Sequence, residues 1–125
     1  MTTILAIAVG GAIGSVARYG MTVYADYLFG REFPYGIFLT NILGSVVIGV
    51  CFVLIVERAL VSELWRSILM VGFLGGFTTF STFSIQSLEL LQAGRLLDAA
   101  GYIVGSVVLS ILGCWIGIMG TRALH

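Results

Sequence analysis

Charged residues are scarce in this chain of 125 residues, and lysine is absent altogether. Only 10% of the residues are charged and 59% are hydrophobic, whereas an ordinary soluble domain is about 25% charged. The six basic residues, all arginine, equal the six acidic residues in number, so no net charge points to nucleic acid. The sequence is therefore too apolar for a soluble domain and predicts an integral membrane protein without a nucleic-acid partner.

Cysteines and catalytic motifs are also rare or missing. Cys51 and Cys114 lie in the middle of apolar runs, where we expect small packing residues rather than a disulfide or a metal pair. The sequence has no phosphate-binding loop, zinc-ligand spacing or catalytic triad, so we expect no enzyme. The first residues, MTTILAIAVGG, carry no basic side chain, which predicts a retained span rather than a cleaved signal.

Four apolar runs are long enough to cross a membrane, which takes roughly 20 residues. They extend from about 3 to 27, from just after Pro34 to about 56, from about 64 to 92, and from about 98 to 123. The connections between them are short and polar and leave no room for a soluble domain. We therefore predict a single all-α membrane domain over residues 1–125, with four transmembrane helices.

Glycine is abundant, with 17 copies. Four pairs are spaced four residues apart: Gly10 and Gly14, Gly72 and Gly76, Gly101 and Gly105, and Gly113 and Gly117. Small residues at this spacing let transmembrane helices approach each other closely. We expect most of these glycines at contacts between helices.

The arginines are balanced between the two sides of the predicted bundle. One side carries Arg58, Arg66 and Arg122, and the other carries Arg18, Arg31 and Arg95. Because an excess of arginine and lysine usually fixes orientation, this balance gives no strong preference. Two interpretations remain open. Either copies insert in both orientations and pair antiparallel, or the orientation depends on one or two charges.

Polar side chains inside the spans are the first candidates for function, because they are costly in a membrane. Asn41 lies deep in the second span and offers amide hydrogens and a carbonyl oxygen. It either forms a hydrogen bond between helices or contributes to a polar path. Ser106 and Ser110 lie one turn apart on one face of the fourth span. Their hydroxyls either bond to carbonyls of their own helix or form a polar stripe facing Asn41.

The segment GGFTTFSTFS, residues 75–84, is the most unusual part of the third span. Its two glycines disfavour a helix interior. The five hydroxyl residues of the segment are Thr78, Thr79, Ser81, Thr82 and Ser84. Non-helical backbone inside a membrane must be buried in protein or line a cavity, and hydroxyls can satisfy it. We predict an interrupted third helix, with carbonyls near Gly75 and Thr78 turned outward as possible ligands for a hard cation.

Phe77, Phe80 and Phe83 recur at every third position of the same segment. Such a stripe is most often core packing. Here it is interleaved with hydroxyls and lies beside the predicted break. Because a phenyl ring has a positive edge, the stripe also suits a path for a small, strongly hydrated anion that is held without a full charge.

Three motifs resemble the Fluc (CrcB-type) fluoride channel family. GGAIGSVARY (10–19) is similar to its glycine-rich opening, GIFLTNILGSVVIG (36–49) resembles its second helix, and GFLGGFTTFSTFS (72–84) closely matches its third-helix signature. The resemblance covers essentially the whole chain. It implies an antiparallel, dual-topology homodimer in the inner membrane of a prokaryote, with two pores through which fluoride leaves the cytoplasm passively.

The resemblance also implies roles for individual residues. The positions that match the family's pore are Asn41, Phe80, Phe83, Tyr102, Ser106 and Ser110, and we expect Thr79, Ser81, Thr82 and Ser84 along the same path. Gly75 and Thr78 match positions whose backbone carbonyls hold a structural sodium ion at the dimer interface. Arg18 matches the arginine of the first motif and is expected near an aqueous vestibule, or else anchors the end of the first helix by snorkelling.

Two alternative functions remain. A small multidrug-type exporter coupled to protons is also a four-helix antiparallel dimer, but it needs a carboxylate within the membrane. Glu57, Glu63 and Asp98 lie at predicted loop edges, and Glu89 lies near the end of the third helix, which disfavours this function. A structural membrane subunit without transport would leave the asparagine, the hydroxyls and the phenylalanines without a common purpose.

Overall fold

The computed structural model describes residues 1–124 and contains only helices and their connections in that part of the chain. Helix α1 covers Thr2–Phe29, and α2 covers Tyr35–Cys51 and continues as a π-helical segment, Phe52–Glu57. Helix α3 (Glu63–Arg66) continues through a second π-helical segment, Ser67–Leu74, into the short helix α4, Gly75–Phe77. Helices α5 (Phe80–Gln92) and α6 (Leu96–Leu124) complete the bundle.

Four helical stretches are long and apolar enough to cross a membrane, which confirms the predicted number of spans. They are Thr2–Phe29, Tyr35–Glu57, Glu63–Gln92 and Leu96–Leu124. No predicted end differs from these by more than two residues. The second span begins directly after Pro34, as expected for a residue that tolerates only the first turn of a helix.

The third span is broken, as predicted, but the break lies three residues beyond the two glycines. Gly75 and Gly76 are helical, whereas the backbone of Thr78 and Thr79 is extended. The Thr78 hydroxyl donates to the Leu74 carbonyl at 2.9 Å, and the Thr79 hydroxyl accepts from the Thr82 amide at 3.3 Å. The threonines therefore finish one helix and begin the next. The predicted break is present, but Gly75 and Gly76, whose low helix propensity helped to predict it, lie in the helix before it.

The glycines instead allow α1 to pack closely against the third span. A Cβ atom placed on Gly76 would lie 2.6 Å from the Gly11 carbonyl oxygen, and one on Gly72 would lie 2.9 Å from the Ile7 carbonyl oxygen. Gly117 is close to the backbone of α2 in the same way, and a Cβ atom placed on Gly113 would lie 2.9 Å from the side chain of Val46. The exception among the predicted pairs is Gly101, whose Cβ position is open within residues 1–124.

This packing predicts opposite outcomes for two alanine substitutions. Gly76→Ala forces backbone to move and should destabilise the protein by about 1–3 kcal/mol. Gly101→Ala enters open space and should change stability by less than about 0.5 kcal/mol. Thermal unfolding of the purified variants in detergent checks both. Equal melting temperatures for the two variants would contradict the close approach of α1 to the third span.

A small core between α2, α5 and α6 fixes the position of α5. Its buried members are Ile37, Phe83, Leu90, Ala99 and Tyr102. Phe33 and Phe38 pack against this cluster, and both rings lie near the ring of Tyr102, at centroid distances of 5.5 and 6.3 Å. Because Phe83 belongs to this core, the first turns of α5 are held against α6 immediately after the break.

Candidate functional site

A groove of about 430 Å³ lies beside the break in the third span. Its predicted functional residues come from three spans: Asn41, Gly75, Thr78, Thr79, Phe80, Phe83, Ser106 and Ser110. Apolar side chains complete the walls, among them Ile48, Leu74 and Ile111. The fold therefore brings together eight of the residues that the sequence singled out, although they are distant along the chain.

Asn41 holds the backbone of the break through two hydrogen bonds. Its side-chain nitrogen donates to the Thr79 carbonyl at 3.0 Å, and its side-chain oxygen accepts from the Thr79 amide at 2.9 Å. An amide side chain matches a peptide backbone in this way because it carries both a donor and an acceptor. Of the two interpretations of Asn41, the hydrogen bond between spans is present. One amide hydrogen remains for a second partner in the groove.

The two phenylalanines of the groove differ sharply in exposure. Phe83 is 8% exposed and belongs to the core, whereas Phe80 is 76% exposed. Their ring centroids are 5.4 Å apart with an interplanar angle of 48°. Phe77, the third member of the stripe, is buried and stacks on Phe73 at 5.7 Å. Core packing thus accounts for Phe77 and part of Phe83, but not for Phe80.

Ser106 contributes a hydroxyl without a partner. Its oxygen is buried and has no hydrogen-bond partner within residues 1–124, although serines in helices often bond to a carbonyl one turn back. A buried polar group without a partner costs about 1–3 kcal/mol. Ser106 and Ser110 are both among the residues that line the groove, although the Ser106 oxygen itself is buried.

Tyr102 lies beside the groove rather than in its lining. It is fully buried, its ring centroid lies 5.2 Å from that of Phe83, and its hydroxyl donates to the Gln86 side chain at 2.7 Å. Gln86 also lines a second cavity of about 310 Å³ at the end of the bundle that contains Arg31 and Arg95. Gln86 was not predicted from the sequence, although its position one turn after Phe83 could have indicated it.

The hydroxyls of Ser81, Thr82 and Ser84 form hydrogen bonds with nearby groups at the start of α5. The Thr82 hydroxyl accepts from Thr79, the Ser81 hydroxyl lies 3.3 Å from that of Thr79, and the Ser84 hydroxyl donates to the Phe80 carbonyl at 2.9 Å. These three residues are outside the lining of the groove. Their contribution to a pore stays a prediction, and their observed role is to stabilise the start of the helix.

Two carbonyl groups at the break fit the oxygen ligands of a hard cation. In a continuous helix the Gly75 carbonyl would accept from the Thr79 amide, but that amide is bonded to Asn41. The Thr78 carbonyl would accept from the Thr82 amide, which is bonded to the Thr79 hydroxyl. Both carbonyls belong to residues that line the groove, and no carboxylate is among the described lining residues. Such a ligand set suits a monovalent cation better than zinc or calcium.

Among the lining residues that were not predicted, Ser45 and Met70 are the most informative. Ser45 lines the groove and donates its hydroxyl to the Asn41 carbonyl at 2.7 Å, and Met70 lines it from the π-helical segment of the third span. Ser45 lies one turn after Asn41, so helical spacing could have indicated it. No sequence signal marked Met70, because its position depends on how the π-helical segment turns.

These features define a small helical membrane protein with four spans, a broken third helix and a polar groove beside the break. The family model described as "CrcB-like protein, Camphor Resistance (CrcB)" matches residues 5–118. The chain therefore belongs to the CrcB family, which confirms the resemblance found in the sequence.

Curated relatives match nearly the whole chain. A protein of Geobacter sulfurreducens described as "Fluoride-specific ion channel FluC" is 48% identical over 124 residues, which cover 99% of this chain and 100% of the relative. Proteins with the same description are 49% identical over 118 residues in Chloroflexus aurantiacus, covering 94% of each chain, and 44% identical over 122 residues in Coxiella burnetii, covering 97% and 98%.

Proposed function

We propose that this protein is a passive, fluoride-selective channel that lets fluoride leave the cytoplasm across the inner membrane of a prokaryote and so gives resistance to fluoride. The observation that carries the proposal is the groove in which Asn41, Phe80 and Ser106 converge. Membership of the CrcB family and the description of its relatives as fluoride-specific ion channels support it.

The chemistry of the groove suits an anion that must bind and leave again. Asn41 has one amide hydrogen to spare, and Ser106 has a hydroxyl without a partner. The edges of the Phe80 and Phe83 rings add weak positive potential. No lysine, arginine or histidine is among the described lining residues. A fluoride ion that exchanges water for these groups therefore meets several weak donors and no charged side chain among the described lining residues.

Proton-coupled export of drugs is disfavoured by the position of the carboxylates. The six acidic residues are Asp26, Glu32, Glu57, Glu63, Glu89 and Asp98, and each lies in a connection or within the outer turns of a helix. Four of them pair with arginines near the helix ends: Asp26 with Arg31, Glu57 with Arg122, Glu63 with Arg66, and Asp98 with Arg95. Fluoride efflux from liposomes with and without an imposed pH gradient separates the functions. A passive fluoride channel releases fluoride in both conditions, whereas a proton-coupled exporter of drugs releases no fluoride in either.

A purely structural membrane subunit is disfavoured by two features of the residues that line the groove. Ser106 has a buried hydroxyl without a partner, and Phe80 exposes 76% of its surface in the same groove. A scaffold without transport gains nothing from either feature, since an alanine and a buried aliphatic residue would cost less.

We extend the proposal to an antiparallel homodimer of dual topology with two pores. The exposure of Phe80 and of Gly75 leaves one wall of the groove open, and a second copy would close it. Cysteines introduced at loop positions should react from both sides of the membrane, because the arginines are balanced. Adding two or three lysines to one loop set should lower activity, and a partner biased the other way should restore it. Labelling from a single side at every position would contradict dual topology.

We also propose that the break holds a structural sodium ion at the dimer interface, bound by the carbonyls of Gly75 and Thr78. Neither carbonyl accepts the amide hydrogen that it would accept in a continuous helix, which supports this assignment. Sodium should raise the melting temperature of the purified dimer in proportion to the logarithm of its concentration, and potassium should not. Identical melting curves in sodium and in potassium over a hundredfold range of concentration would refute the site.

A further inference from the structure

Arg18 lies inside the first span and points a guanidinium group at the break in the third span. Its Nη1 atom donates to the Thr78 carbonyl at 3.4 Å. Within residues 1–124 no acidic side chain forms an ion pair with Arg18, and the group is only partly exposed. A charged side chain inside a span is costly unless something in the protein engages it. Arg18 meets this requirement by contacting the backbone of the break.

The two ends of a single peptide unit are held by two different spans. The carbonyl of Thr78 and the amide of Thr79 belong to the same peptide group. The carbonyl accepts from Arg18 of α1, and the amide donates to Asn41 of α2. Neither group has a helical partner, since the backbone of both threonines is extended. Because a peptide group is planar, fixing its two ends from opposite sides fixes the orientation of the plane.

The orientation of this peptide plane determines where α5 begins. Thr79 is the residue before α5, and Phe80 is its first helical residue. Phe80 has little packing of its own, because 76% of its surface is exposed. Its position therefore depends on the backbone that precedes it. A contact of 3.4 Å is long for a neutral hydrogen bond, but the charge of the guanidinium still attracts the carbonyl dipole.

We propose that Arg18 is a positioning residue for the pore: together with Asn41 it clamps the Thr78–Thr79 peptide unit and thereby sets the start of α5 and the place of Phe80. The inference rests on the proposed channel function for its consequence in transport. The effect of the clamp on the Thr78–Thr79 backbone is tested separately from its effect on transport. Arg18 occupies one lone pair of the Thr78 carbonyl and leaves the second free; a sodium ion on the second lone pair would be repelled by the guanidinium.

The sequence allows this one peptide unit to be observed directly. Only two Thr–Thr bonds occur in the chain, Thr2–Thr3 and Thr78–Thr79. Protein labelled with ¹³C in the threonine carbonyl and ¹⁵N in the threonine amide therefore gives two carbonyl–nitrogen cross-peaks by solid-state NMR in lipid bilayers. The substitution Thr3→Ser removes the first. The remaining cross-peak reports the carbonyl that Arg18 contacts and the amide that Asn41 contacts.

Three variants test the clamp in this background. Arg18→Met keeps length but removes the charge and the donors, and it should shift the Thr78 carbonyl carbon upfield and slow fluoride efflux by about tenfold. Arg18→Lys keeps the charge, and it should shift the carbonyl less and retain more efflux. Arg122→Lys changes an arginine that pairs with Glu57, at the other end of the chain, and keeps the balance of charge between the two sides; it should leave the cross-peak and the efflux unchanged.

An unmoved cross-peak in folded Arg18→Met overturns the proposal. If that variant does not fold, Arg18→Lys decides in the same way, since lysine cannot reproduce the guanidinium contact and an unmoved cross-peak then overturns the clamp. A shifted cross-peak with wild-type efflux overturns the role in positioning the pore. Failure of the proposed channel function gives a different result. The wild-type protein would then release no fluoride, while the Thr78–Thr79 cross-peak of Arg18→Met would still be shifted from its wild-type position.

Discussion

Replacement of Phe80 by isoleucine is expected to slow fluoride efflux by at least about tenfold, which corresponds to about 1.4 kcal/mol in the barrier, while the protein stays folded. Isoleucine preserves apolarity and much of the volume but has no ring edge of positive potential. Phe80 is 76% exposed in the single chain, so its replacement removes little core packing. Efflux from liposomes, measured together with elution on size-exclusion chromatography, separates loss of transport from loss of folding.

Two matched variants sharpen this result. Phe77→Ile changes a buried ring that stacks on Phe73, and it should lower stability while leaving efflux within about twofold of wild type. Phe80→Met should retain partial efflux, because a polarisable thioether adapts to irregular sites. If Phe80→Ile folds and conducts like wild type, the ring is not part of the path.

Phe83→Ile is expected to affect both properties. Phe83 is 8% exposed and packs against Tyr102 at 5.2 Å. Its loss should cost stability of up to about 1.5 kcal/mol if the core repacks well, and it should also slow efflux. The comparison with Phe80→Ile is therefore needed. Phe80 lies outside the core, so its replacement tests the anion path without a large change in core packing.

The substitution Asn41→Asp is expected to abolish measurable transport, with efflux falling by at least about a hundredfold, or about 2.7 kcal/mol. An ionised carboxylate has no hydrogen to donate, so the bond to the Thr79 carbonyl is lost and two oxygens face each other. The carboxylate also repels an anion in the groove. Its charge within a span costs about 2.5–3.5 kcal/mol on insertion scales, so the protein should also become less stable.

Ser45→Ala is the matched control for Asn41. Ser45 lines the same groove on the same helix, and its hydroxyl only donates to the Asn41 carbonyl. Its removal should change efflux by no more than about threefold. Fluoride efflux of Asn41→Asp equal to that of Ser45→Ala would contradict the assignment of Asn41 to the anion path.

The spans were predictable because their signals are local. A run of about 20 apolar residues is enough to indicate a span, and Pro34 marks the start of the second one. The break was predictable in kind but not in place. The two glycines are poor helix residues by propensity, yet close packing against Gly11 holds Gly76 in a helix. That contact is between spans, and no local pattern contains it.

Many of the residues that line the groove were predicted from the sequence, but few of the contacts between them were. Asn41, Phe80 and Ser106 were indicated by polarity, by spacing and by the family motifs. The difference in exposure between Phe80 and Phe83 was not, because it arises from the packing of α5 against α6. The bond between Tyr102 and Gln86 joins two helices, so it too depends on tertiary structure.

Release of fluoride from liposomes that contain the purified wild-type protein tests the central claim most directly. The liposomes hold potassium fluoride, the outside has little potassium, and valinomycin lets potassium leave. The account predicts rapid fluoride efflux that begins only on addition of valinomycin, and no comparable efflux when chloride replaces fluoride. Fluoride release no faster than from protein-free liposomes, or chloride release as fast as that of fluoride, would contradict it.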